Sequence, residues 1–243
     1  MSNTIDFFEK NRYVLIKEMI PKDIAKIASQ YAHFDRVREF RPEQEGAQIP
    51  GSHSVYGDPL METLLKFSKP HMENWTGLEL WPTYSYYRLY KPGDMLRRHK
   101  DRPSCEVSIT CCLGYDYQDK KDYNWGMYVG PSNGERGTKG KLIKMKPGDG
   151  VIYRGCEIEH WRDAFEVPEN AWQVQVFLHY VNKNGPYGDM CKYDFRPALG
   201  LTDVEKDEER IAAAEKADKN MPYRTKDTDF PDLGKDDVPY ENR

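Results

Sequence analysis

The chain has 243 residues, 38% hydrophobic and 13% aromatic with 17 Tyr, long enough to bury a sizeable core and richer in strand-favouring side chains than helical bundles are. Its formal charge of −4 sits in residues 201–243, where 8 Lys/Arg face 13 Asp/Glu; the remaining 28 against 27 leave a nearly neutral body, which argues against binding along a nucleic-acid duplex. Five cysteines without a C-x-x-C pair argue against a disulfide framework or a structural zinc site, and no apolar run reaches the ~20 residues of a membrane span, so a reducing, cytoplasmic setting is expected.

RYVLIKEMI (12–20) reads as a strand, and Pro21 opens a helix in which Ile24, Ile27, Ala28 and Tyr31 recur at helical spacing. Residues 35–58 mix Pro42, Gly46, Pro50, Gly51 and Gly57 with charges and read as a long loop, of the kind that borders active sites. A helix carrying Leu60, Leu64 and Leu65 follows. From Pro82 the texture changes to short β-like runs: TYSYYRLY, CEVSITCCLGY, NWGMYVG, KLIKMK, GVIYRG and WQVQVFLHYV. The turns KPGD, PSNG and KPGDG punctuate them, which predicts an antiparallel sandwich or barrel. Beyond Leu201 come a helix-like EKDEERIAAAEKADK and a stretch rich in Pro and Asp, expected as a docked arm or partly disordered chain. The organisation expected is an α/β support region at 1–82, a core at 83–182 and an acidic extension at 183–243.

His99 and Asp101 flank Lys100, and in an extended strand that spacing throws both side chains to one face, so two ligands can share a metal. H-x-D alone is a common pattern, and its context narrows the reading. It follows the strand and turn YRLYKPGDML, and a second P-G-D turn precedes the β-like run GVIYRGCEIEH, which ends on His160. Two histidines and one carboxylate form a facial set that suits iron(II) and leaves positions open for a chelating oxo-acid and dioxygen.

At these residues the chain resembles the 2-oxoglutarate/iron(II) dioxygenase superfamily, above all the collagen-type prolyl 4-hydroxylases and the DNA-alkylation-repair oxygenases. Those families share Tyr-x-x-Gly followed by His-x-Asp, here Tyr90-Lys91-Pro92-Gly93 and His99-Lys100-Asp101. The resemblance spans residues 80–182 and implies an α+β, mainly β fold: a double-stranded β-helix, or jelly roll, with the metal at one mouth and N-terminal helices packed on it. It implies His99, Asp101 and His160 as ligands of Fe(II), with 2-oxoglutarate and O2 as co-substrates. The reaction implied is decarboxylation of the oxo-acid to succinate coupled to hydroxylation of an unactivated C–H bond. Tyr90 corresponds to the tyrosine that binds 2-oxoglutarate in these families, and Arg88 to a residue that faces it in the repair oxygenases.

One departure matters. The families place Arg or Lys on the strand after the distal His, where this chain has Gln173 and Gln175. A buried dicarboxylate needs a cationic partner. Arg162, two residues past His160, is the first candidate and Arg88 the second; the bland alternative for Arg162 is a surface ion pair with Asp163 or Glu159. Thr110 and Ser108 are placed either to offer a hydroxyl to the co-substrate or merely to suit a strand. Tyr84 and Tyr86 share a face with Arg88 and Tyr90 and are expected to pack the core. Arg97, Arg98, Lys100 and Arg102 are expected as a solvated strand edge, with steering of an anionic substrate as the alternative.

The motif run points to a prolyl or other peptidyl substrate, with 35–58 as a lid, though a small molecule is also compatible. Two further readings stay open. A nucleobase demethylase needs a pocket for a flipped base. A cupin-like metal-binding barrel without oxygenase activity commonly adds His and Glu near the first ligand pair, where Arg102, Pro103 and Ser104 stand here.

Overall fold

The computed structural model describes residues 2–38, 49, 51–130 and 139–223. In chain order, the helices are α1 (Ser2–Asn11), α2 (Lys22–Arg38), α3 (Pro59–Thr76) and α4 (Glu208–Lys219). The strands are β1 (Tyr13–Ile16), β2 (His53–Tyr56), β3 (Leu80–Tyr90), β4 (Leu96–His99), β5 (Val107–Asp116), β6 (Met127–Val129), β7 (Lys141–Ile143), β8 (Gly150–Tyr153), β9 (His160–Arg162) and β10 (Trp172–Asn182). They form a six-stranded sheet in the order β1-β8-β5-β10-β3-β2 and a four-stranded sheet in the order β4-β9-β6-β7, with antiparallel pairing throughout. The two sheets pack on each other through Cys112, Val151 and Tyr153 of the larger and Met127, Val129 and Ile143 of the smaller.

Strand alternation decides what each face does. Along β10, Val174, Val176, Leu178 and Tyr180 join the main core beneath α2 and α3, together with Tyr87 and Leu89 of β3 and Ala25, Ala28 and Leu65 of the helices. Each fully buried aliphatic side chain there contributes roughly 1.5–3 kcal/mol. The intervening positions, Gln173, Gln175, Phe177 and His179 on β10 and Tyr84, Tyr86, Arg88 and Tyr90 on β3, therefore face the smaller sheet. One face stabilises the domain and the other is left for chemistry.

The two KPGD segments are the same device. Asp94 N–H donates to the Lys91 carbonyl (3.1 Å) and Asp149 N–H to the Lys146 carbonyl (2.9 Å), with Gly93 and Gly148 at φ of 84° and 92°. In each, the Asp carboxylate accepts from the N–H three residues back, at 2.9 and 3.0 Å. Proline followed by a glycine at positive φ is what this tight turn demands.

Several expectations are corrected. The strand expected over 12–20 ends at Ile16, because Glu18 adopts φ of 51° while its N–H and the Lys17 ammonium both reach the Asp149 carboxylate. Within the expected loop at 35–58, α2 continues to Arg38 and β2 pairs with β3, whose edge is open to it; 39–48 and 50 lie outside the described residues. Ahead of the first expected element, residues 2–11 form α1, with Phe8 fully buried. The run GVIYRGCEIEH is two strands in two sheets: β8 ends at Tyr153, a turn closed by Glu157 and Ile158 N–H on the Arg154 carbonyl intervenes, and His160 begins β9. The PSNG turn and the stretch from 224 onward lie outside the described residues. Among those described, no helix is long and apolar enough to cross a membrane.

Candidate active site

The histidines of the expected ligand set come from paired strands of the smaller sheet. His99 on β4 is in register with His160 on β9, and their ring centroids are 4.3 Å apart. The backbone orients both rings: His99 Nδ1 lies 2.7 Å from the Arg97 carbonyl and His160 Nδ1 3.2 Å from the Ile158 carbonyl. A carbonyl only accepts, so in the neutral ring Nδ1 carries the proton and Nε2 presents its lone pair. Both Nε2 atoms lie 3.5 Å from Asp101 Oδ1, and ligand-capable atoms of the three residues lie within 4.8 Å of one another.

Asp101 is not on the strand, as its spacing from His99 suggested, but just past the end of β4. Its N–H donates to the Gly155 carbonyl at 2.8 Å, which fastens this segment to the turn between β8 and β9. Burial raises the affinity of Asp101 for a proton, but the adjacent His160 and His99 imidazoles outweigh it and hold the carboxyl well below its usual range. Burial, reinforced by His160, lowers His99. A carboxylate and a neutral imidazole are the states in which these groups ligate metals.

The three residues open onto a cavity of about 230 Å³ whose further walls include Tyr84, Tyr86, Arg88, Leu96, Tyr153, Phe177 and His179. Tyr84 and Tyr86, expected as core, thus line the cavity. On the cavity wall and in the interior behind it, several buried donors meet no acceptor. Arg162 is fully buried; its Nη1 donates to the Trp125 carbonyl (2.8 Å), while Nε and Nη2 meet no hydrogen-bond partner. Tyr90 Oη, Arg88 Nε and Gln175 Nε2 are likewise buried and unmatched. The surface ion pair considered for Arg162 does not form, since Arg162 points inward and Glu159 pairs with Arg98 at 3.3 Å. Burial lowers the Arg162 pKa.

Thr110 Oγ1 donates to Gln175 Oε1 (3.1 Å), so that hydroxyl is spent on a neighbouring side chain. Gln173 accepts from the Tyr117 hydroxyl (2.5 Å) and donates to the Trp125 carbonyl (3.4 Å). The charged strip at 97–102 is not the solvated edge expected: Arg98 is buried with its guanidinium 3.7 Å from the Trp161 ring centroid, and buried Lys100 donates to the Tyr223 carbonyl (3.1 Å). Tyr223 of the extension thus reaches this side of the sheet.

Sequence reasoning missed His179, Gln175 as a site residue, and Gly155. His179 hydrogen-bonds Ser108 at 2.7 Å and converges with Asp101 and Cys105 within 4.8 Å. A signal existed for the first two, since Gln173, Gln175 and His179 fall on the positions that alternate with the apolar Val174, Val176 and Leu178. None existed for Gly155, whose role comes from a contact between distant segments.

No family model matches the sequence, and no curated protein does. Solved structures match in fold. The epimerase SnoN, solved with Fe3+, α-ketoglutarate and nogalamycin RO, superposes with a TM-score of 0.64 at 12% identity over 84% of this chain and 93% of its own. A Pseudomonas putida prolyl-4-hydroxylase does so at 0.55 and 16%, over 74% and 98%. A Trichoplax adhaerens prolyl hydroxylase, in complex with a peptide fragment of the hypoxia inducible factor oxygen degradation domain, does so at 0.55 and 14%, over 74% and 88%. The chain has the fold of the 2-oxoglutarate/iron(II) oxygenases.

Proposed function

We propose that this protein is an iron(II)- and 2-oxoglutarate-dependent oxygenase that hydroxylates an unactivated C–H bond. The observation that carries the reading is the meeting of His99, Asp101 and His160 at a cavity backed by buried donors without acceptors. The two packed antiparallel sheets are read as a double-stranded β-helix, with 83–182 as its core and the flanking regions as support.

The Nε2 atoms of His99 and His160 and a carboxylate oxygen of Asp101 are the donors that would hold the metal, a set suited to iron(II) with positions left open. When bound, iron(II) supplies the dioxygen activation that side chains cannot perform, coupled to conversion of 2-oxoglutarate to succinate and carbon dioxide. The chain's own residues bind, orient and exclude water. Arg162, whose guanidinium carbon lies 5.9 Å from the Tyr90 ring centroid, offers two unmatched N–H groups to the distal carboxylate, and the Tyr90 hydroxyl joins them. Arg88 on the cavity wall is the second cation facing that anion. Thr110 and Gln173 act one contact removed, Thr110 by holding Gln175 and Gln173 by holding Tyr117 against Trp125. Leu96 and Phe177 keep water from the reacting bond.

For the substrate, a prolyl or other peptidyl residue is the first reading, supported by two prolyl hydroxylases among the fold neighbours, one of them holding a peptide. A small molecule is the second, supported by SnoN, which superposes over more of this chain, and by the compact, aromatic-walled cavity. The test is succinate release with iron(II), ascorbate and 2-oxoglutarate. The wild type releases succinate above the enzyme-free rate and Asp101→Ala does not; equal release by both overturns the assignment.

A further inference from the structure

Both chain neighbours of Asp101 are held by the C-terminal extension. Lys100 Nζ donates to the Tyr223 carbonyl at 3.1 Å, and Arg102 Nη1 donates to Asp194 Oδ1 at 2.6 Å. Asp194 is a hub. Its side chain is fully buried, and it also accepts from the Tyr56 hydroxyl (2.6 Å) and pairs with Lys206 (2.5 Å). Tyr56 lies against Tyr84 on the cavity wall, ring centroids 5.0 Å apart, and the Arg102 guanidinium carbon sits 4.8 Å from the Tyr84 ring centroid. One carboxylate therefore ties together β2, the cavity wall, the residue after Asp101 and the extension.

The backbone around this carboxylate is unusual. Tyr193, Asp194 and Phe195 have φ of 56°, 55° and 67°, three consecutive residues other than glycine in the left-handed region. L side chains enter that region at a cost, normally singly, and persist there only where the surroundings over-determine them. Here Phe195 is anchored in a cluster with Cys156, Tyr187 and Cys191, while Asp194 is fixed by its three partners. Asp101, by contrast, lies past the end of β4, outside the ladder that holds His99.

We propose that Asp194, acting through Arg102, positions Asp101 for metal binding, which makes the extension part of the support of the metal site. This rests on the reading of His99, Asp101 and His160 as ligands. Asp194 is a positioning residue: it holds the guanidinium, the guanidinium fixes the chain at 102, and that sets where the preceding carboxylate stands. Groups that orient metal ligands from behind typically change affinity by roughly 10–100-fold when removed.

The test measures cobalt(II) binding to the full chain by its visible spectrum, for wild type, Asp101→Ala, Asp194→Asn and Arg102→Gln. Binding is expected in the wild type, loss in Asp101→Ala, and roughly 10–100-fold weaker binding in both Asp194→Asn and Arg102→Gln at unchanged secondary structure. Arg102→Gln separates positioning from simple charge, because removing a cation beside a metal site tightens binding if only the field matters. Wild-type affinity in either variant, or tighter binding in Arg102→Gln, overturns the proposal. Should Asp194→Asn fail to fold, Arg102→Gln decides alone, since its side chain is partly exposed and leaves Asp194 paired with Lys206. No cobalt(II) binding by the wild type overturns the metal reading itself.

Discussion

Gly155 and Asp101 meet more closely than any side chain at 155 would permit. The Asp101 N–H donates to the Gly155 carbonyl at 2.8 Å, and a Cβ on Gly155 would strike both the Asp101 carboxylate and the Cys105 carbonyl. The turn between the sheets is thus pressed against the segment after β4, and the carboxylate gains its place beside the two imidazoles.

Gly155→Ala is therefore expected to displace Asp101 while leaving both sheets intact. Overpacking of this kind costs about 1–3 kcal/mol of stability. Metal affinity should fall by roughly tenfold or more, as when a ligand's support is lost. Thermal unfolding of the metal-free protein and calorimetric metal titration read the two effects separately; unchanged metal affinity contradicts the role assigned to this contact.

Arg162 is a buried cation with no carboxylate within ion-pair distance among the described residues. Replacing such a group with an apolar side chain of similar length is neutral or stabilising, because the desolvation cost disappears. Arg162→Met is thus expected to leave the melting temperature of the ligand-free protein unchanged or higher. It should also weaken 2-oxoglutarate binding by about 100-fold, corresponding to loss of roughly 3 kcal/mol of charge-assisted hydrogen bonding. A variant that is destabilised yet binds the co-substrate normally contradicts the anchor and makes Arg162 a structural residue.

Glu106 supplies a pH dependence of stability that does not rest on a metal ligand's own titration. It is buried and accepts from the Asn182 N–H (2.8 Å), and burial raises its pKa to about 7. A carboxyl whose pKa is raised in the folded state favours folding in its protonated form. That contribution is complete below the ordinary value of 4.5 and is lost as pH rises to about 7. Glu106→Gln keeps an acceptor oxygen and cannot ionise. It should match the wild type near the ordinary carboxyl pKa and exceed it at alkaline pH by as much as about 3 kcal/mol in denaturant unfolding. An offset independent of pH contradicts this.

The residues legible in the sequence are those whose geometry is local. Tyr90 through His99 is a strand, a turn demanded by Pro92 and Gly93, and a second strand, so the motif could be placed without tertiary information. Alternation placed Arg88 with Tyr90 on β3, and Arg162 with His160 on β9. Contacts between distant segments were not legible. Asp101 owes its position to Gly155 and Arg102 rather than to strand pleating, and Arg98 and Lys100 are buried because Glu159 and Tyr223 reach them from elsewhere. Period-2 patterning also could not show that GVIYRGCEIEH crosses from one sheet to the other, since both halves look like strand.

The most direct measurement of the central claim is an anaerobic titration of 2-oxoglutarate into the iron(II)-loaded protein, followed by the weak visible charge-transfer band of the chelate. The account predicts a saturable band in the wild type, its loss in Asp101→Ala, and a weaker co-substrate affinity in Arg162→Met. Bound iron with no band at any 2-oxoglutarate concentration contradicts the account and leaves a metal-binding barrel without oxygenase chemistry.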